Sequence, residues 1–344
     1  MKIKKILALS AAFAVISAST AGAVLLEEVT PAPFSENGIT LNASLVEFAD
    51  VIDSDVFDIG GAVWRDGRLY VLHQGGNIDC FVLEGNFLVR DPKAFEGKGT
   101  VSLGRKLSSL SMDEKGWLYA SSTSETNLYI IEPNGTVHTA RENSSRGAVS
   151  VHPSGEWGLR YTGSTNAPLT RTDLKRAAAG EKAFNEVLKN PSFAKGAEST
   201  SFSSLAYLKL NADGSYFVSG LSHKLKGQGF WGLIDKNGKE IFAFLEKYDG
   251  KDPKRIRNIG SVQSIIPCKY GYALLDGNMR RLHIYDKKGA FITNVDLKQL
   301  LGLKYCWPST MNRIDDNTVL ITCTQDFPYN SKNVESLVMK VTGL

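Results

Sequence analysis

The stretch Gly60–Leu72, GGAVWRDGRLYVL, contains two small residues, a short strand, an Asp66-Gly67 turn and a second strand. An Asp-Gly pair accepts the positive φ angles that a tight hairpin turn requires. Similar segments recur five more times, and they start at Ser108, Gly147, Ser203, Gly260 and Ser309. The chain is therefore predicted to repeat one hairpin along its length.

Most of these hairpins are followed by a third and a fourth strand. Examples are Asn127–Ala140, with a turn at Pro133–Gly135, and Arg280–Asp296, with a turn at Lys287–Gly289. The repeats start about 40 to 57 residues apart, and four strands at such a period are typical of propeller blades. The sequence predicts an all-β fold, a six-bladed β-propeller with four-stranded antiparallel blades. A seventh, poorly recognised blade is the alternative.

The small residues that open each repeat have an architectural interpretation. The innermost strand of every blade runs along the central axis, where bulky side chains would collide. The alternative is that these positions leave room for a ligand or water in the channel. The segment Gly38–Val51 is predicted to supply the outer strand of the last blade, which closes the ring and leaves no open edge. The strand from Ser336 is predicted as the third strand of that blade.

Two segments depart from the strand pattern. A helical insertion is predicted at about residues 172–200, with Thr172 or Asp173 as its N-cap and with Ala183, Val187 and Leu188 at helical spacing. A helix of one or two turns is predicted within Asp296–Leu303. Both segments are interpreted mainly as packing elements.

The N-terminus has the form of a secretory signal peptide. Lys2, Lys4 and Lys5 precede an apolar run from Ile6 to about Ile16, and Ala21-Gly22-Ala23 matches a cleavage site. We therefore expect a signal peptide over residues 1–23, a single β-propeller domain over 24–344, and a periplasmic or secreted protein. No stable membrane span is expected after cleavage, and an N-terminal anchor is the alternative.

Charge and cysteine content narrow the classes of function. The formal net charge of +4 is small and mixed along the chain, which counts against nucleic-acid binding. The four cysteines contain no Cys-x-x-Cys, so neither a zinc ribbon nor a thioredoxin-like site is suggested. Register across the sixth hairpin predicts a Cys306–Cys323 disulfide, with two unbridged residues as the alternative. Cys80 and Cys268 are expected to be unpaired and buried.

A ligand site is expected at the channel mouth that carries the loops into the inner strands and the loops between second and third strands. These loops supply seven candidate ligand-binding residues: Arg105, Arg146, Arg257, Arg280, His73, His223 and Trp307. Converging arginines would bind a carboxylate or phosphate through their guanidinium forks. The alternative is that they are solvated or paired with Asp58, Glu125, Asp276 and Asp326. Trp307 is interpreted either as a stacking platform for a sugar or ring or as a structural residue.

Catalytic patterns are sparse. His73 and His223, with Asp276 or Asp326, could ligate a metal or act as acid and base, but their spacing does not specify such a site. The sequence contains no Gly-x-Ser-x-Gly elbow, no Walker loop and no His-Glu-x-x-His. The catalytic residues, if any, are unknown, and no cofactor or metal is predicted.

The segments LSMDEKGWLYASS and RRLHIYDKKGAFI carry a resemblance to bacterial NHL-type and TolB-like six-bladed propellers. This resemblance implies a fold and says little about activity. The first blade also resembles the opening of the gluconolactonase-like propellers, in which a Glu before the corresponding strand is a metal ligand. Gly60 and Gly61 stand at that place here, and glycine offers no side-chain oxygen to a cation. The departure counts against a metal-dependent lactonase.

Three functions remain open at this point. The first is an exported binding module that holds an anionic small molecule or peptide, or a protein partner, over the arginine-bearing mouth. The second is a lactonase-like or other hydrolase with its site at the channel mouth. The third is a scaffold in an envelope complex.

Overall fold

A computed structural model describes residues 31–49, 59–73, 75–122, 126–141, 148–161, 169–181, 184–188, 204–222, 228–244, 259–303, 307–325 and 335–344. The predicted signal peptide lies outside these ranges. Within them, no helix has the length and apolar character required to cross a bilayer.

The strands group into six units, each built on one of the predicted hairpins. Unit 1 contains β3 (Ile59–Arg65), β4 (Arg68–His73), β5 (Asn77–Glu84), β6 (Phe87–Arg90) and β7 (Thr100–Ser102). Unit 2 contains β8 (Ser109–Met112), β9 (Leu118–Ser121), β10 (Asn127–Ile131) and β11 (Val137–Arg141). Unit 3 contains β12 (Ala148–Val151), β13 (Trp157–Tyr161), β14 (Thr170–Asp173) and β15 (Asn185–Val187).

The second half of the chain repeats the arrangement. Unit 4 contains β16 (Ser204–Leu210), β17 (Tyr216–Ser222), β18 (Gln228–Ile234) and β19 (Glu240–Phe244). Unit 5 contains β20 (Val262–Cys268), β21 (Gly271–Asp276), β22 (Arg281–Asp286) and β23 (Phe291–Asp296). Unit 6 contains β24 (Trp307–Arg313), β25 (Thr318–Gln325), β26 (Glu335–Thr342) and, from the N-terminal side, β2 (Ile39–Phe48), on which β1 (Phe34–Glu36) pairs.

Units 2 to 5 are four separate four-stranded blades, whereas units 1 and 6 belong to one ten-stranded sheet. The strand β2 causes this fusion. It pairs antiparallel with β26 over Asn42–Val46, and its end then pairs in parallel with β6 over Glu47–Phe48. The prediction that this N-terminal segment supplies the outer strand of the last unit is confirmed, as is the third strand at β26.

The first strands of the units contact one another in a closed order: β3, β8, β12, β16, β20, β24 and back to β3. Side chains also bond to the neighbouring unit's backbone across the seams, by which we mean the contact surfaces between adjacent units. These bonds include Ser111 Oγ to Val149 O (2.9 Å), Leu210 N to Ser150 Oγ (2.9 Å), Ser264 Oγ to Met311 O (3.1 Å) and Asn312 Nδ2 to Ala62 O (3.2 Å). The fold is an all-β propeller.

Small residues at the start of unit 1 are required by this close approach. A methyl group on Gly60 would overlap the carbonyl oxygen of Leu107, and one on Gly61 would lie 2.9 Å from the nitrogen of Leu110. Both neighbours are backbone atoms at the start of unit 2, and backbone cannot rotate away as a side chain can. The architectural interpretation of the small pair therefore holds at unit 1.

The predicted turns form as their residue types require. Asp66 and Gly67 both have positive φ angles, 48° and 79°, as expected for a tight hairpin. In the recurring Asp-x-x-Gly turn, the Asp carboxylate accepts hydrogen bonds from the backbone two and four residues later. Asp113, Asp235 and Asp286 do this in units 2, 4 and 5. This bonding explains why the motif recurs without implying any activity.

The helical insertion predicted at about residues 172–200 is much shorter than expected. The helix α2 covers only Leu174–Ala178, and Asp173 caps it by accepting a hydrogen bond from the nitrogen of Arg176. Val187, which was expected on the helix, belongs to β15, because this segment pairs with β14 as the fourth strand of its blade. Ala183 lies outside the described residues. The second predicted helix is confirmed as α3 (Leu297–Leu301), which Asp296 caps and Gly302 ends. The short turn α1 (Ala94–Gly97) was not predicted.

Cys80 and Cys268 are unpaired thiols, as predicted. Cys80 is buried as expected, whereas Cys268 is only half-buried. Burial raises the pKa of the Cys80 thiol to about 12, so it remains protonated at neutral pH. Cys323 lies in β25 and is fully buried. Cys306 lies outside the described residues, so the Cys306–Cys323 disulfide stays a prediction.

Candidate functional site

The antiparallel order of each blade gives the ring two different ends. Turns between first and second strands lie at one end, which we call the hairpin end. Turns between second and third strands, together with the connections between units, lie at the other, which we call the mouth end. The predicted ligand residues that the structure describes belong to the mouth end.

A buried acid–base pair lies at the mouth end of unit 1. His73 is the last residue of β4, and Asp79 is the third residue of β5. The Nε2 atom of His73 lies 2.8 Å from Oδ2 of Asp79, and both side chains are almost completely buried. Thr100 Oγ1 donates to the other carboxylate oxygen, and Arg90 Nη2 lies 3.5 Å from Oδ2. Burial acts to raise the pKa of Asp79, but the hydrogen bonds from His73 and Thr100 outweigh it and lower the pKa.

A second acid–base pair lies at the mouth end of unit 5. Asp276 ends β21, His283 is the third residue of β22, and both are fully buried. Their closest atoms, Nε2 and Oδ2, are 3.6 Å apart, which is an ion-pair separation longer than a hydrogen bond. The carboxylate instead accepts backbone N–H groups from Gly260 (2.6 Å), Ser261 (3.2 Å) and Met279 (2.9 Å). Burial opposes ionisation, but His283 and these N–H groups lower the pKa of Asp276.

The two pairs occupy the same place in their blades with acid and base exchanged. Val71 lies opposite Asp79 in unit 1, and Leu274 lies opposite His283 in unit 5. The strand before each pair also matches, since Ile59 pairs with His73 and Val262 pairs with Asp276. Units 1 and 5 therefore carry a buried acid–base pair at equivalent positions of the mouth end.

A third buried charge lies in the seam between units 2 and 3. Arg160 is only 1% exposed, and its Nη2 donates to the carbonyl oxygen of Thr126 at 3.2 Å, at the mouth end of unit 2. Burying an ionised group is costly unless it is well bonded, so such positions indicate a structural or functional requirement.

The predicted site residues fall into three groups: those at least partly accessible, one that is buried, and those outside the described residues. Arg105 is exposed in the connection between units 1 and 2, and Arg280 is half-buried in the turn between β21 and β22. Trp307 is the first residue of β24 and is 37% exposed. His73 differs from the prediction, because it ends a strand and is buried instead of facing the mouth from a loop. Arg146, Arg257 and His223 lie outside the described residues.

Among the described residues, no ion pair is formed by Arg105 or Arg280, and Asp276 is occupied by backbone N–H groups and His283. Asp276 therefore neutralises neither Arg105 nor Arg280. Asp58, Glu125 and Asp326, the other carboxylates considered, lie outside the described ranges.

Sequence reasoning missed five residues of these buried groups: Asp79, Arg90, Thr100, Arg160 and His283. One signal was present. Asp79 and His283 are each the third residue of a third strand, NIDCFVLE and RLHIYD, and each is flanked on both sides by an apolar residue. The partner of each could not be identified without the register of the neighbouring strand.

His73 and His283 are enclosed by the protein, so their rings cannot contact a substrate in this structure. Over the described part of the chain, no three His, Cys, Asp or Glu side chains are grouped closely enough for a metal ion. Among the described residues of the mouth end, the accessible polar side chains include Arg105, Lys106 and Asn278, with Arg280 half-buried.

No family model and no curated protein matches the chain. Among solved structures, it is similar to the Myceliophteria thermophila Cps50 (Swd1) β-propeller domain, with a TM-score of 0.49 and 11% sequence identity over 81% of this chain and 82% of that chain. This likeness is too weak to bear on function, and the propeller fold rests on this chain's own sheets and seam contacts.

Proposed function

We propose that the chain is an exported six-bladed β-propeller that acts as a binding module for an anionic small molecule or peptide at its mouth end. Six blades are supported by the closed order of the six first strands, with units 1 and 6 counted as two blades that β2 joins. Export is supported by the N-terminal signal pattern. The NHL/TolB-like assignment stays a prediction from sequence.

The turn that carries Arg280 is the observation on which the ligand class depends. Arg280 adopts a left-handed backbone with φ of 54°, which is costly for a residue other than glycine. Its nitrogen donates to the oxygen of Gly277, and the buried Asp276 carboxylate holds the nitrogen of Met279 in the same turn. A cation held in a fixed, unfavourable turn without a described acid partner is suited to an external anion.

The hydrolase alternative receives less support. It required His73 as an accessible acid, base or metal ligand, and the ring of His73 is buried against Asp79. The scaffold alternative predicts no anion binding, so the same experiment separates it from the proposal.

Isothermal titration with citrate and with inorganic phosphate at fixed ionic strength tests the proposal. Arg280→Gly is expected to weaken binding roughly thirtyfold, the effect of losing about 2 kcal/mol from hydrogen bonds to a charged group. Its folding stability should be nearly unchanged, because relief of the left-handed strain offsets the extra chain entropy of glycine. The double variant Arg146→Gln, Arg257→Gln should abolish binding if all four arginines converge.

Arg313→Gln is the matched control, since Arg313 is exposed at the end of β24, at the hairpin end and away from the mouth. Its affinity should equal that of the unmodified protein. Equal affinity of Arg280→Gly and Arg313→Gln would exclude Arg280 from the site. Absence of binding by either anion to the unmodified protein would favour the scaffold.

A further inference from the structure

A small cavity opens at the hairpin end, opposite the proposed mouth site. It has a volume of about 130 Å³ and lies in the seam between the β3–β4 hairpin and the β8–β9 hairpin. This is room for roughly four water molecules at liquid density. Its lining is polar and charged and includes Arg65, Asp66, Arg68, Glu114 and Lys115.

One of the three cations in this lining is fully occupied by the protein. Arg65 donates through Nε to Asp66 Oδ2 at 3.0 Å and through both Nη atoms to the carbonyl oxygens of Asp113 and Glu114. It therefore ties the two hairpins together and keeps the cavity walls in place. Asp66 is neutralised by the same ion pair.

The other two cations retain capacity for a ligand. Arg68 uses its Nε on Asp91 Oδ2 at 2.8 Å, and the described contacts include none from its Nη atoms. Lys115 is exposed, and its Nζ makes no ion pair with any described residue. The nearby Asp113 carboxylate is occupied by two backbone N–H groups and by the hydroxyl of Tyr119. Two cationic donors thus border a space of carboxylate size.

We propose that this cavity binds a single carboxylate group, held by the Nη atoms of Arg68 and by Lys115. Arg68 provides the planar fork, Lys115 provides a mobile point charge, and the rigid hairpins keep both beside the cavity. Glu114 is the opposing charge in the lining. Its removal should therefore strengthen the site if the ligand is an anion.

The probe is acetate, titrated against chloride at constant ionic strength and followed by backbone amide NMR shifts. Shifts are expected in residues 65–70 and 112–116. Lys115→Gln should weaken acetate binding about tenfold, as expected for one hydrogen bond to a charged group, and Glu114→Gln should tighten it. The side chain of Lys115 takes part in no described bond, so this variant should fold normally.

Lys288→Gln is the matched control. Lys288 holds the same position in the Asp286–Gly289 turn of unit 5, and its nitrogen bonds to Asp286 as that of Lys115 bonds to Asp113. Acetate affinity should be unaffected in this variant. The proposal is overturned if acetate causes no local shifts, if Lys115→Gln binds as well as Lys288→Gln, or if Glu114→Gln weakens binding. Arg280→Gly should not alter this site, so its outcome is independent of the mouth site.

Two sources of the carboxylate can be separated with acetyl-diglycine and its C-terminal amide. A free small acid is indicated if acetyl-diglycine binds no better than acetate. A peptide terminus is indicated if it binds more tightly and the amide does not bind. Both results support a carboxylate site, and equal binding of acid and amide contradicts it.

Discussion

Single side chains at the mouth end show how a repeated position can hold opposite residues. His73 and Asp79 in unit 1 match Asp276 and His283 in unit 5 by register, with the acid and the base exchanged. In both cases the acid is held in its ionised form by hydrogen bonds that overcome its burial. We therefore expect that, in these two units, the pair must be complementary but its order can be exchanged.

This equivalence predicts a compensating double variant. His73→Asp alone places two carboxylates together in a buried site, and Asp79→His alone places two imidazoles there. Each should cost about 3 kcal/mol of unfolding free energy, as expected for breaking a buried charged pair. The combined variant restores a complementary pair in the order of unit 5, so it should recover at least half of the loss.

Urea unfolding of the four proteins forms a double-mutant cycle that measures this recovery. The recovery is expected to be incomplete. Thr100 and Arg90 contact the carboxylate at position 79, and in the combined variant they would face an imidazole there. Additive losses in the combined variant would show that the two positions are not equivalent to those of unit 5.

Among the described strands, β2 is the one that pairs with both the first and the last unit. Its first part completes unit 6, and its last part adds to unit 1, where Glu47 N donates to Asn86 O at 2.9 Å and Ala49 N donates to Leu88 O at 3.0 Å. Lys340 Nζ, from the neighbouring strand β26, also reaches Oδ1 of Asn86 at 2.6 Å. The strand therefore fastens the first and last units by backbone bonds in addition to side-chain packing.

Proline at position 47 tests this fastening. Glu47→Pro removes the N–H that bonds to Asn86 and should lower the free energy of unfolding by about 1 to 2 kcal/mol. Glu47→Ala keeps the N–H and serves as the control, with little expected change. Urea midpoints compare the two, and equal midpoints would mean that the parallel pairing adds nothing to stability.

The closed ring of first strands sets the size limit on residues at its hub. Gly60 faces the carbonyl of Leu107 in the next unit so closely that even one methyl group must push the units apart. Gly277 offers a contrast, because a methyl group there would meet only the flexible side chain of Gln263.

Alanine at these two glycines should therefore have unequal effects. Gly60→Ala is expected to destabilise the protein by about 2 kcal/mol or more through overpacking against fixed backbone. Gly277→Ala should cost less than about 1 kcal/mol, because the Gln263 side chain can move. Thermal unfolding of both variants measures the difference, and an equal cost would contradict the close approach of units 1 and 2.

Much of the architecture was predictable because its signals are local. The turn at Asp66-Gly67, the Asp-x-x-Gly turns and the caps Asp173 and Asp296 depend on residues a few positions apart, so they can be identified in sequence. The error at residues 172–200 arose because Val187 and its neighbours suit either a helix or a short edge strand, and pairing with β14 favours the strand.

The site was less predictable because its contacts are not local. Whether His73 reaches solvent or Asp79 depends on the register of β4 against β5. The Asp276 carboxylate accepts the backbone N–H groups of Gly260 and Ser261. These residues lie in the connection between units 4 and 5, so the partners of Asp276 cannot be identified from its own strand. Backbone conformation follows from neighbouring residues, and so the repeat and its turns could be recognised in the chain. The partners of charged side chains follow from strand register and seam packing, which exist only after distant segments have come together.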